Sequence, residues 1–443
     1  MSQRRIAVLL VNVLVFVVFA ELVSLTIYYY DTGHLFYLHR KTYELIPETR
    51  DRRLTGEGLH PYFGPTHKSG YPFDLPESLR TPHVSERGAS QPPRVETNNF
   101  GFVSPYNYPF TRQRDDQFVI GLFGGSVGVW FCQVGANRLV ERLQQVGFFK
   151  RKELIPLCLS HEGYKQPQQL LVLAYFLSIG QQFDLVVNID GFNEVALSSI
   201  NDQRGIDISM PSAQHLDPLI NLVNQFTLTP EKLQSLAAIG RYKDQLNSLT
   251  SAIRRNRIAS VNFALEQYHR IVSNRYHAEL ARFAALPSNP SSNSIVTVTP
   301  PTTRRDGPSL FKDIARNWMS ASLLMNALLS PRGVPYFHFL QPNQYYSTRS
   351  FRDEEARAVL SDASPFKGGV EQGYPVLVAE SQSWMSKTST MRFFDATHIF
   401  DGEAAPVYMD NCCHYTLAGN RILADFIADS ILRSEGSWKG ESD

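Results

Sequence analysis

Along this chain the hydrophobic positions change rhythm three times. From Ile6 to Tyr30 the sequence IAVLLVNVLVFVVFAELVSLTIYYY is apolar almost without interruption. As a helix it is long enough to cross a hydrocarbon core of ~30 Å. From about residue 113 short apolar runs alternate with longer helical patterns. Phe118–Phe123, Leu154–Leu159 and Asp184–Asp190 read as buried strands; Ser126 to about Gln145 and Gln166–Ile179 read as the intervening helices, with Pro167 in the first turn of the second. Residues 196 to about 290 break the alternation and look mostly helical, amphipathic and polar, and a Pro/Ser/Thr-rich stretch at 288–309 follows that reads as a mobile loop. The pattern resumes with a helix at Leu310–Leu329, a strand at Val334–Leu340 and a last helix at Leu417–Leu432.

Strand, helix, strand, helix, strand predicts an α/β domain: a parallel sheet between helical layers, a three-layer sandwich. The expected organisation is a transmembrane helix at 1–30, an irregular juxtamembrane segment at 31–112, the α/β domain at 113–435 with a helical insertion at about 196–308, and a tail at 436–443. The first apolar run exceeds the core of a signal peptide, and no small-residue cleavage site follows it. We therefore expect an uncleaved signal anchor. Arg4 and Arg5 precede it and favour an inner N-terminus, which puts the body outside the cytoplasm, on the periplasmic side of a plasma membrane. Glu21 is costly inside a bilayer, which predicts a place near the outer interface or against a partner helix.

Composition narrows the function. The net charge of +1 over 443 residues gives no basic field for nucleic acid and no acidic tail. The four cysteines, Cys132, Cys158, Cys412 and Cys413, match no zinc spacing, and histidines such as His161 and His338 are scattered, so no metal or other cofactor is expected. A Cys132–Cys158 disulfide is open to the chain in an oxidising compartment.

Open parallel sheets bind ligands beyond the carboxyl ends of their strands. Three segments follow strands in this way. Gly124-Gly125-Ser126 places a serine at a strand-to-helix turn. Ser160-His161-Glu162-Gly163-Tyr164 places a glycine whose N–H approaches an oxyanion, and Asp190-Gly191-Phe192-Asn193-Glu194 places an asparagine amide. Late in the chain, Asp410-Asn411-Cys412-Cys413-His414 supplies an acid and an imidazole just before the last helix. Ser126 as nucleophile, His414 as base and Asp410 as orienter then form a catalytic set, with Ser126 N–H, Gly163 N–H and the Asn193 amide as the oxyanion hole. Gln341-Pro342-Asn343-Gln344 follows the fourth strand and either lines the crevice or forms a plain turn; Asp190 reads as structural.

In this order the blocks resemble the SGNH (GDSL-type) hydrolase superfamily in its membrane-anchored bacterial form, over residues 113–434 without the insertion. The resemblance implies a serine ester hydrolase acting on an O-acyl ester, with an envelope carbohydrate as a plausible carrier. The same site would serve an O-acyltransferase if a sugar hydroxyl replaced water, and a scaffold that has lost its chemistry is the non-enzyme alternative. Protein partners are not indicated. Three positions depart from the family pattern. Gly125 stands where it usually has Asp, Glu194 replaces an Asp while keeping a carboxylate, and three residues rather than two separate Asp410 from His414.

Overall fold

The computed structural model describes residues 3–33, 35–37, 57–73, 75, 79, 95–216, 229–286, 304–387 and 391–439. The described residues fall into two compact units, Met1–Thr55 with Ile220–Thr297, and Gly56–Leu219 with Val298–Asp443.

The first unit is helical. Its N-terminal helix, Gln3–Thr32, contains a run of 21 residues, Leu10–Tyr30, long and apolar enough to span a membrane. Most of its apolar side chains face outward, which in water would be a large unfavourable exposure. Helices Pro230–Arg255 and Ala259–Ala285 pack antiparallel through Ile239, Leu246, Val272 and Tyr276. Thr229 caps the first, with Pro230 in its opening position. The second has no cap of its own at Ile258. Glu21 supplies one from the N-terminal helix: its carboxylate accepts the Ala259 N–H at 2.7 Å, the Ser260 N–H at 2.9 Å and the Ser260 hydroxyl at 2.6 Å, and the Tyr37 hydroxyl as well. The orphan donors of a helix start meet a negative charge there. Glu21 thus faces a partner helix, one of its two expected environments.

The second unit is built on a five-stranded parallel sheet. Its strands are β5 (Gln117–Gly124), β6 (Glu153–Cys158), β7 (Leu185–Asp190), β8 (Tyr336–Leu340) and β9 (Arg392–Asp395), in the order β6-β5-β7-β8-β9. Every position of β7 and β8 is buried, so both sheet faces are covered, as continuous apolar strands require. The helices form two sets. Ala136–Leu143 packs on the last helix, Leu417–Arg433, while Gln168–Ser178, Phe192–Gln203, Gly307–Leu329 and Lys367–Met385 pack among themselves. Arg138 and Arg142 reach Asp425 and Asp429 across the first pairing. Trp318, on Gly307–Leu329, lies fully buried in the core.

Two sequence expectations change. The segment 31–112 is not uniformly irregular. Four short strands, β1 (Glu57–His60) with β2 (Gly64–His67) and β3 (Pro72–Phe73) with β4 (Val95–Glu96), form two antiparallel ladders within the sheet unit. The helical insertion begins later than 196, because Phe192–Gln203 is one continuous, almost wholly buried helix of the α/β unit, and Glu194 closes its first turn. Most of the loop expected at 288–309 lies outside the described residues. Strand β9 and the helix Lys367–Met385 were not anticipated; β9 is only four residues long, without a buried position, and the helix carries Gly369, Gly373 and Pro375.

Candidate active site

β5 and β7 are adjacent parallel strands whose following helices belong to the two different sets, so a crevice opens between their carboxyl ends. The serine turn sits on one side of it. Gly124 has φ +157, and a Cβ there would meet the Ile189 carbonyl at 2.5 Å, so the chain leaves β5 in a path only glycine takes without shifting β7. Ser126 then opens a helix, half-buried.

The late loop comes to meet it. His414 Nε2 lies 2.8 Å from Ser126 Oγ, and His414 Nδ1 lies 2.5 Å from Asp410 Oδ2. A carboxylate at Nδ1 keeps the proton on that nitrogen and leaves the Nε2 lone pair facing the serine hydroxyl. The unusual spacing of acid and base is absorbed locally. Asp410 Oδ1 accepts the N–H groups of Cys412, Cys413 and His414 at 3.0, 3.1 and 3.3 Å, so the loop wraps around one carboxylate oxygen and frees the other for the imidazole. Burial works against the Asp410 charge, but the bonds from His414 and the loop outweigh it and hold the carboxyl below its ordinary value.

The segment after β8 braces this loop. Asn343 donates to the Cys412 carbonyl and Gln344 to the Asp410 carbonyl, both at 3.0 Å, and Tyr415 donates to the Pro342 carbonyl at 2.6 Å. Pro342, Asn343 and Gln344 therefore support the Asp410–His414 loop, where the sequence left the segment open between crevice lining and turn. Thr416 caps the last helix, accepting the Gly419 N–H.

Of the expected oxyanion donors, Asn193 packs against the serine turn at Gly125. Asn193 starts the helix after β7 and donates one amide hydrogen to the Tyr164 carbonyl at 2.8 Å, leaving the second. A Cβ on Gly125 would meet Asn193 Nδ2 at 2.1 Å and the Tyr164 carbonyl at 3.1 Å. The amide thus fills the space that a side chain at 125 would need, which is a physical reason for glycine where the resembling family has Asp. Gly163 turns at φ +76, which strains any residue with a Cβ, and such a Cβ would also lie 2.3 Å from the His215 ring and force it to move. Glu194, the other departure, is fully buried: burial first, and Asp190 second, push its carboxyl above the ordinary value. It accepts the Gln166 and Gly191 N–H groups at 2.8 Å and ties the turns after β6 and β7 together.

A second array of the same residue types lies in the core. Ser322 Oγ meets His338 Nδ1 at 2.7 Å, and His338 Nε2 meets Asp190 Oδ1 at 2.6 Å, with Trp318 Nε1 on the same oxygen. No more than 2% of Ser322, His338 or Asp190 is exposed, so no substrate reaches it, and the array serves as internal polar bonding.

Histidine spacing misled in one respect. His67, on β2, and His161 and Glu162 after β6 come together, with His67 Nε2 3.0 Å from Glu162 Oε2. Burial drives His161 down to about 3, while its Nδ1 lies 2.9 Å from the Glu162 carbonyl. Cys132 and Cys158 form a disulfide, with Cα atoms 5.8 Å apart, and Cys412 and Cys413 are free thiols. No family model matches this sequence, and no curated protein is significantly similar to it.

Proposed function

We propose that this chain is a serine ester hydrolase. The observation that carries the reading is the contact of Ser126 Oγ with His414 Nε2 at 2.8 Å, backed by Asp410 at 2.5 Å. In the proposed reaction His414 takes the Ser126 proton as Oγ attacks an ester carbonyl. The Asn193 amide, with the N–H groups of Gly163 and Ser126, receives the developing oxyanion. His414, now an imidazolium held by Asp410, returns the proton to the leaving alcohol, and water activated by the same imidazole releases the acid. An acceptor hydroxyl in place of that water would make the site an acyltransferase.

The resemblance to SGNH hydrolases suggests an O-acyl ester, on an envelope carbohydrate or another small alcohol, as the substrate class; fold-level analogy supports no finer choice. We place the protein in a plasma membrane with its α/β unit outside the cytoplasm. The apolar helix and the arginines before it support the first part; the Cys132–Cys158 disulfide suits an oxidising compartment and supports the second. The test is covalent labelling by a fluorophosphonate. Wild type should label, and Ser126→Ala and His414→Ala should not. A folded wild type that stays unlabelled sinks the hydrolase reading and leaves a scaffold. Acetylated sugars offered with and without an acceptor then separate hydrolysis from transfer.

A further inference from the structure

We propose that Cys412, Cys413 and His414 form a binding site for a thiophilic divalent cation such as Zn²⁺ or Cd²⁺, and that the bound cation silences Ser126. The second half of this proposal rests on the hydrolase reading; the first does not.

The two sulfurs lie 3.5 Å apart, and one donor atom from each of the three residues lies within 4.8 Å of the other two. Zinc binds sulfur at about 2.3 Å and imidazole nitrogen at about 2.0–2.1 Å, in tetrahedral sites whose donors stand ~3.3–3.8 Å apart. The set is therefore close to a ligating geometry before any ion arrives. It is also held there. Asp410 Oδ1 accepts the backbone N–H of all three residues, and the Asn343 amide donates to the carbonyl of Cys412. Two thiolates and an imidazole favour a soft or borderline cation over Mg²⁺ or Ca²⁺. Cys412 is partly exposed and offers a way in, while Cys413 is buried with its Sγ 4.0 Å from Ser126 Oγ.

The imidazole has a single lone pair to give. His414 Nδ1 is committed to Asp410, so a cation must take Nε2, the atom that would otherwise accept the Ser126 proton. Each thiol releases its proton to water as its sulfur binds, and no electron transfer is involved. The serine then has no base. Chelation of the ion restores it.

The remaining cysteines are joined in the Cys132–Cys158 disulfide, so any thiolate signal from the oxidised, folded chain comes from this pair. Full-length protein in detergent is titrated with Cd²⁺, and thiolate-to-cadmium charge-transfer absorption is followed in the near ultraviolet. The expected result is saturation at one ion per chain in wild type and in Ser126→Ala, and loss of the band in Cys412→Ser. In parallel, Zn²⁺ should bring fluorophosphonate labelling of wild type down to the Ser126→Ala background, EDTA should restore it, and Cys412→Ser should label equally with and without Zn²⁺. Melting curves establish that the variant is folded. No absorption band in wild type, an undiminished band in Cys412→Ser, or equal zinc inhibition of both proteins overturns the proposal. The last outcome would also be expected if zinc acted instead at His67, His161 and Glu162, which carry no sulfur. If wild type fails to label even without metal, the hydrolase reading falls, and the Cd²⁺ band by itself decides whether the cation site exists.

Discussion

Asp410→Asn is the sharpest test of the proposed hydrolase geometry, because the acid has two different jobs on its two oxygens. Oδ1 receives three backbone N–H groups and Oδ2 faces His414 Nδ1. An amide cannot do both. If its oxygen stays with the loop, its NH₂ faces Nδ1, and the imidazole must carry its proton on Nε2, pointing at Ser126 Oγ with no lone pair to accept. If the amide turns over, NH₂ confronts three N–H donors, and each unsatisfied buried donor costs about 1–3 kcal/mol. The first orientation wins, so the loop keeps its shape and the histidine takes the wrong tautomer. The charge-assisted bond that would stabilise the imidazolium, worth about 1.5–3 kcal/mol, is lost as well. Together these predict a loss of about 4–5.5 kcal/mol of transition-state stabilisation, a fall of about 10³–10⁴ in rate. The assay is the second-order rate of fluorophosphonate labelling, or initial-rate hydrolysis of an activated acetyl ester, with melting curves to show an intact fold. A fall of less than about threefold in a folded variant would refute the reasoning. It would mean that the extra residue between Asp410 and His414 removes the acid from the mechanism.

Three further outcomes follow from the same structure. Asn193→Ala should lower turnover about 10²–10³-fold, with a smaller change in KM, since in the proposed reaction its amide receives the developing oxyanion; unchanged turnover would remove Asn193 from the site. His161 is buried and neutral, pushed from 6.5 to about 3, so the unfolded chain takes up a proton below about pH 6.5 that the folded chain refuses. Stability should therefore fall with acidification through the window from 6.5 toward 3 by up to about 1.4 kcal/mol per pH unit, and His161→Phe should flatten the upper part of that slope in melting curves, above the range where carboxylates such as Glu162 add their own. Glu21→Leu should remove the cap from the helix at Ala259 and cost about 1–2 kcal/mol, read as a lower melting temperature of the protein in detergent; an unchanged melting temperature would show that the carboxylate is not holding that helix.

Elements with long or strongly apolar patterns were legible in the sequence. Phe118–Phe123 and Asp184–Asp190 lie within a residue of β5 and β7, because a strand buried on both faces must be continuously apolar. Strand β9 was not legible, since an edge strand with no buried position writes no pattern. The pairing in 57–67 was missed because its strands are four residues long and rich in glycine, proline and histidine. The blocks Gly-Gly-Ser, Gly163, Asn193 and Asp410–His414 were readable as candidates, because each follows a strand or precedes a helix where a side chain can enter a crevice.

The hydrophobic pattern alone determined that a long apolar helix precedes an α/β body with a parallel sheet, and local chemistry nominated Ser126, His414 and Asp410. Burial periodicity and turn residues are short-range properties and are written directly in the chain. Only the tertiary structure decided which polar residues meet. It brought Ser126 to His414 across 288 positions, set the look-alike Ser322, His338 and Asp190 out of reach in the core, gathered His67, His161 and Glu162, and turned Glu21 toward the start of a helix 238 residues away. Contacts of that kind depend on how layers pack and on where a loop is braced, and a hydrogen bond is made or lost over less than an ångström, a distance that spacing along the chain does not encode.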